Sequence, residues 1–206
     1  MHARSSTITG DLERLDEGIA YVRDVVMPTV TGLEGCVGLS MLVDRETGQC
    51  IVTSSWTSED EMRASNLHLA PLRQRSGEII GGPPEVAEWE VAVMHRDHLA
   101  PPGSCCRVTW LRLSHGEIER GIEIYRQALL PEMTGLTGFC SASLLVDRVR
   151  GRACSTTTYD SREAMDASRD RAWAIRDAGA RDAGVDVLDV AECDLVLAHL
   201  RVPELV

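Results

Sequence analysis

The chain repeats itself. Sliding the sequence by 103 positions sets Gly18–Ser65 against Gly121–Ser168, with 19 of 48 residues identical. The matches include Gly18/Gly121, Arg23/Arg126, Pro28/Pro131 and the hairpin segments Leu42–Arg45 and Leu145–Arg148. Further on, VAEWEVAVMH (Val86–His95) faces VAECDLVLAH (Val190–His199) at an offset of 104, so the second copy has gained one residue. A period this long exceeds the roughly 20–50 residues of solenoid repeats, so each copy reads as a domain. The expected boundaries are 1–98 for the first domain, 99–106 for a linker carrying Pro101-Pro102-Gly103, and 107–206 for the second.

Each copy reads as β-α-β-β-α-β, a ferredoxin-like split unit of α+β class. Strands are expected near Arg4–Thr9 and Arg107–Leu113. Leu15, Ile19, Val22, Val26 and Val30 recur at helical spacing, as do Ile118, Ile122, Tyr125 and Leu129. Pro28 and Pro131 fall late in these patterns and are expected to end or kink the helix. Two strand-like runs, Cys36–Val43 and Gln49–Trp56, are joined by an Asp-to-Gly turn, and Ser58 with Glu61 forms a capping box for the second helix. Strand positions of both parities are apolar, which calls for cover on both sheet faces. Two fused copies would supply it by packing sheet to sheet, as a pseudo-twofold barrel closed within one chain.

Composition removes several chemistries. All 21 basic residues are arginine, so no Schiff-base lysine, pyridoxal phosphate site or Walker lysine is available. A net charge of −11 disfavours nucleic acid and anionic membrane as partners. No apolar run is long enough to span a bilayer and MHARSSTITG lacks an apolar signal core, so a cytoplasmic protein is expected. Seven cysteines with no C-x-x-C pair read as reduced, small hydrophobes.

The segment Pro-x(3)-Gly-Leu-x-Gly (Pro28–Gly35 and Pro131–Gly138), the hairpin, and SWTSEDEM (Ser55–Met62) resemble the antibiotic-biosynthesis-monooxygenase-like (ABM-like) proteins of the dimeric α/β-barrel superfamily. The resemblance covers nearly the whole chain twice. It implies the usual homodimer fused into one chain, hence a monomer. It also implies activities ranging from cofactor-independent oxygenation of polycyclic aromatics to oxidative haem breakdown. The haem-degrading branch is similar in using a first-strand Asn, a Trp and a His ligand. Trp56 and His68 could stand for the last two, but neither first strand here contains Asn.

Trp56, Trp110, Tyr125, Tyr159 and Trp173 fall on elements that could line a cleft between sheet and helices, where flat rings suit a flat ligand. His68, on the second helix, is the expected catalytic proton carrier. Arg171 replaces it in the second copy and could stabilise an anion. The ligand-binding candidates are thus Trp56, Tyr159, Trp110, Arg171 and Trp173. No metal site is expected: His95 and His98 flank Asp97, but alternate strand side chains point apart and the linker is polar. The leading functional expectation is a cofactor-independent monooxygenase acting on a small hydrophobic aromatic. The alternative is a non-catalytic protein binding a hydrophobic ligand, or haem, in the same cleft.

Overall fold

A computed structural model describes residues 1–200 and 203–205, with His115 and Leu200 described by their backbone alone. The first copy comprises β1 (His2–Thr9), α1 (Leu15–Tyr21), α2 (Met27–Thr31), β2 (Cys36–Asp44), β3 (Gln49–Trp56), α3 (Glu59–Ala64), α4 (Asn66–Ile80) and β4 (Glu85–Arg96). The second comprises β5 (Cys105–Arg112), α5 (Ile118–Ile124), α6 (Leu130–Thr134), β6 (Phe139–Asp147), β7 (Arg152–Tyr159), α7 (Arg162–Ala167), α8 (Arg169–Ala183) and β8 (Asp186–Leu200). The class is α+β, and the unit is ferredoxin-like twice over.

The prolines do not end the first helix of either copy. Between α1 and α2, Val22–Val26 widen into a π-helical turn, and Tyr125–Leu129 do the same between α5 and α6. The Met27 amide reaches back to the Val22 carbonyl and the Leu130 amide to that of Tyr125. The next residue in each case is proline, which has no N–H and whose ring collides with the carbonyl four residues earlier in a regular helix. Widening the turn accommodates both constraints, and the helix runs on to Thr31 and Thr134.

The hairpin turns close as their chemistry dictates. Asp44 Oδ1 accepts from the Glu46 amide at 2.8 Å, and Asp147 Oδ1 from those of Val149 and Arg150 at 3.0 and 2.9 Å. Gly48 and Gly151 follow with φ of +77° and +60°, a region costly for a residue bearing a Cβ. Ser58 Oγ accepts from the Glu61 amide at 3.2 Å and Ser161 Oγ from that of Ala164 at 3.2 Å, the full and half caps expected of α3 and α7.

Compact units do not follow the repeat boundary. One contains Met1–Trp89 and β8 from Asp194 onward; the other contains Glu90–Cys193 and residues 203–205. In the first, the hydrogen-bonded strand order is β4-β1-β3-β2-β8; in the second it is β8-β5-β7-β6-β4. Leu39 faces His199 and Met41 faces Leu197 across β2 and β8, while Val91 faces Leu145 and Met94 faces Ser143 across β4 and β6. The last strand of each copy therefore serves its own sheet with its first half and the other sheet with its second, and the order β1-β3-β2-β8-β5-β7-β6-β4 closes on itself.

Leu39, Met41 and Val43 are buried on one face of β2, and Leu42 is also buried, matching the apolar pattern of both parities. No helix among the described residues is long and apolar enough to cross a membrane.

Candidate functional site

Inside the second unit, a cavity of about 90 Å³ lies between the β5-β7-β6 face and the helices above it. Alternation along the strands sends Thr109 and Leu111 of β5 and Ser155, Thr157 and Tyr159 of β7 into it. Helical spacing brings Ala172, Trp173, Ile175, Arg176 and Gly179 of α8 to the other wall. The first unit holds a smaller cavity of about 40 Å³ at the equivalent place.

The difference in size has a side-chain cause. Leu69 and Ile80 of α4 are packed in the first core, and a Cβ on Gly18 would stand 2.5 Å from Ile80 Cγ1. At the positions 103 residues later stand Ala172 and Ala183. Trimming two branched side chains to methyl groups while keeping the backbone path leaves unfilled volume.

Arg107 governs the polar end of the larger cavity. It is 5% exposed and donates to Glu192 Oε1 from Nε at 3.0 Å and from Nη2 at 2.8 Å. Its Nη1 donates to the Tyr159 hydroxyl at 3.3 Å, and its guanidinium carbon stands 5.6 Å from the Tyr159 ring centroid. Burial pushes the Tyr159 hydroxyl pKa up, partly offset by the adjacent Arg107 charge. Tyr125, set in the π-helical turn, donates to the Ser143 carbonyl at 3.2 Å and meets Ser155 Oγ at 3.1 Å; burial raises its pKa too. Both phenols are held protonated as hydrogen-bonding groups in a mostly apolar chamber. At the α8 side, Trp173 is 40% exposed, with Arg169 and Arg176 over its ring at 5.8 and 5.7 Å.

Of the residues anticipated from sequence, Tyr159 and Trp173 line this cavity, as does Tyr125. Trp110 is half-buried on β5 between Thr109 and Leu111, so it faces the opposite side of the sheet. Arg171 is exposed and donates to the Gly135 carbonyl at 2.9 Å, tying α8 to the turn after α6. Trp56 is fully buried, donates from Nε1 to Ser54 Oγ at 3.0 Å, and lines neither cavity. His68 is exposed on α4 and lines neither cavity. The geometry gathers Tyr159 and Trp173 and leaves Trp110, Arg171, Trp56 and His68 apart.

Arg107 and Glu192 escaped the sequence reading. Their trace was the duplication: Arg4 and Glu88 stand at the matching positions and make the same pair, at 3.0 and 2.7 Å. An arginine retained in both copies of a strand otherwise filled with small and apolar residues, matched by a retained glutamate, marks a buried pair.

Haem does not fit this site. The described residues lining the larger cavity include no histidine or cysteine, and about 90 Å³ is far too small for a tetrapyrrole.

No family model matches the chain. It is 51% identical over 206 residues to the uncharacterised protein Rv2557 of Mycobacterium tuberculosis, spanning all of this chain and 92% of that one. Rv2558 of the same organism is 49% identical over 207 residues, spanning all of this chain and 88% of that one. Among solved structures, a monooxygenase candidate from Lactobacillus acidophilus superposes with TM-score 0.69 at 12% identity, over 97% of this chain and 96% of that one. The haem-degrading enzyme LmHde of Listeria monocytogenes gives TM-score 0.52 at 14% identity, over 93% of this chain and 98% of that one. At such identities the structural likeness establishes the fold.

Proposed function

The chain belongs to one family with Rv2557 and Rv2558 and shares the fold of the monooxygenase candidates, and we propose that it is an ABM-like protein whose second unit is a cofactor-independent monooxygenase site for a small aromatic substrate. The substrate class is one or two rings carrying a carbonyl or hydroxyl oxygen beside an acidic carbon. The observation that carries this reading is the apolar cavity of about 90 Å³ with Arg107 and Tyr159 at its polar end.

Such chemistry asks little of the protein beyond positioning, water exclusion and stabilisation of charge. A substrate that ionises readily enters as its enolate or phenolate. Arg107 and the Tyr159 hydroxyl hold the anionic oxygen, and the ring lies against Trp173 and the aliphatic wall. The electron-rich carbon then reacts with dioxygen. A CH₂ flanked by aryl and carbonyl groups becomes a carbonyl, with one oxygen atom retained and the other leaving as water. A monomer in a reducing cytoplasm suits the reading, since both units share one chain and all seven cysteines are unbridged.

The test is oxygen uptake with β-tetralone, a bicyclic ketone with such a CH₂. Turnover that falls at least tenfold in Arg107→Met and Tyr159→Phe, with His68→Ala unaffected, supports the assignment. Folded protein that consumes no oxygen rejects it. One observation favours a second reading, a binding protein without turnover: no histidine or carboxylate is among the described residues lining the cavity, so a substrate needing a strong base would find none. Saturable quenching of tryptophan fluorescence by naphthol, without oxygen uptake from β-tetralone, identifies that case.

A further inference from the structure

We propose that His98 Nε2, Cys140 Sγ and a carboxylate oxygen of Asp160 form a three-residue site for a divalent ion of the zinc class, separate from the cavity. The three ligating atoms lie within 4.8 Å of one another. His98 Nε2 stands 2.8 Å from Asp160 Oδ1, and Cys140 Sγ stands 3.2 Å from the same oxygen. Ligands bound at about 2.0–2.3 Å around a tetrahedral ion are roughly 3–4 Å apart, so small rotations of these side chains complete the geometry.

The backbone aims each ligand. β6 and β7 slip register between Phe139 and Ser141, a bulge that takes Cys140 out of the regular ladder. The carbonyl of Cys140 accepts instead from the amides of Asp97 and His98, at 2.8 and 3.4 Å, which docks the segment after β4 onto the bulge. Gly138, with φ of +68°, accepts from the Asp160 amide at 2.8 Å and fixes the residue that follows β7. Asp97 Oδ2 lies 3.0 Å from His98 Nδ1, the outer carboxylate that orients a metal-binding imidazole and leaves Nε2 for the ion.

The fold does not itself demand these residues. The first copy makes the same bulge between Cys36 and Gly38, yet holds Val37 and Thr57 where the second has Cys140 and Asp160. His95 takes no part: its ring stacks on Phe139 at a centroid distance of 6.1 Å. A mixed nitrogen, sulfur and oxygen set suits zinc better than magnesium or calcium, which favour oxygen alone. Thiolate, neutral imidazole and carboxylate are the ligating forms, so binding displaces any protons these atoms carry to solvent, and a water fills the fourth position.

The experiment is titration of the full chain, after exhaustive dialysis against chelator, with Co²⁺ followed by Zn²⁺. One equivalent of Co²⁺ should produce the near-ultraviolet thiolate-to-cobalt band and the visible absorption of four-coordinate cobalt, both erased by Zn²⁺. Cys140→Ser should remove the thiolate band and Cys36→Ser should retain it. His98→Gln, at a side chain 42% exposed and so harmless to folding, should weaken binding at least tenfold, and Asp97→Asn about tenfold. A flat cobalt titration of the folded protein overturns the site. So does a band that survives Cys140→Ser, or an affinity that His98→Gln leaves unchanged.

Discussion

Arg107 gives two of its N–H groups to one oxygen of Glu192, at 3.0 and 2.8 Å, and Arg4 meets Glu88 in the same way. The pairs link the first strand of each copy to its last. They place a fixed guanidinium under each cavity, and only in the second unit does that guanidinium also reach a phenol, Tyr159, at 3.3 Å.

Arg107→Met should therefore destabilise the protein. Removing one partner of a buried pair costs about 3–5 kcal/mol when the other charge is left uncompensated. Glu192 keeps Arg169 at 2.9 Å, which lowers the expected loss to about 2–3 kcal/mol. Glu192→Gln in the same chain should recover part of it, because the stranded charge is gone. Urea denaturation at constant slope checks both, and a loss under about 0.5 kcal/mol for the single variant refutes the assignment.

The cavity can be closed with residues the fold already carries. Ala172→Leu with Ala183→Ile restores at α8 the side chains that α4 holds as Leu69 and Ile80. The second cavity should shrink from about 90 Å³ toward the 40 Å³ of the first. Naphthol affinity should drop at least tenfold while thermal stability holds or rises, since cavity filling commonly adds about 0.5–2 kcal/mol. Unchanged affinity in the folded double variant would place the ligand elsewhere.

The repeat, the β-α-β-β-α-β order, the hairpin turns and the caps were all legible in the sequence, because each rests on local spacing or a local hydrogen bond. The shared use of β4 and β8 was not. Period-two alternation says which face of Val91 or Leu197 is buried but not which strand will lie beside it. The π-helical turns were half legible: Pro28 and Pro131 announced a disturbance, yet a missing N–H can end a helix or widen it. Among the candidate residues, Tyr159 and Trp173 drew notice because aromatics are scarce here, and both line the larger cavity. His68 drew notice through its chemistry alone, and burial, which sequence reports poorly at a single helical position, sets it apart from the cavity.

Thiol chemistry offers a check that needs no ligand. Burial pushes Cys50 up to about 11, and Cys106 and Cys154 to about 12. The thiolate is the reactive form, so near pH 8 a group at 11 is ionised to about one part in a thousand. Cys36 is half-buried, unlike the other six, and burial raises its pKa as well. Iodoacetamide should modify native protein at Cys36 first, faster as pH rises toward 9, and the other six should react only on unfolding. Peptide mapping that finds Cys50 or Cys154 modified ahead of Cys36 would contradict the described packing.

His68 and Trp173 separate the two descriptions of the site most sharply. His68 is exposed on α4, so His68→Ala should change stability by less than about 0.5 kcal/mol and leave naphthol affinity as it was. Trp173 lines the larger cavity between two arginines, where a ring stacked on a ligand contributes about 0.5–1.5 kcal/mol beyond the area it covers. Trp173→Ala should then weaken naphthol about two- to tenfold and remove most of the fluorescence quenching that reports binding. A binding loss in His68→Ala, with Trp173→Ala unaffected, would move the ligand to the first unit's helices and restore the histidine as the candidate proton carrier.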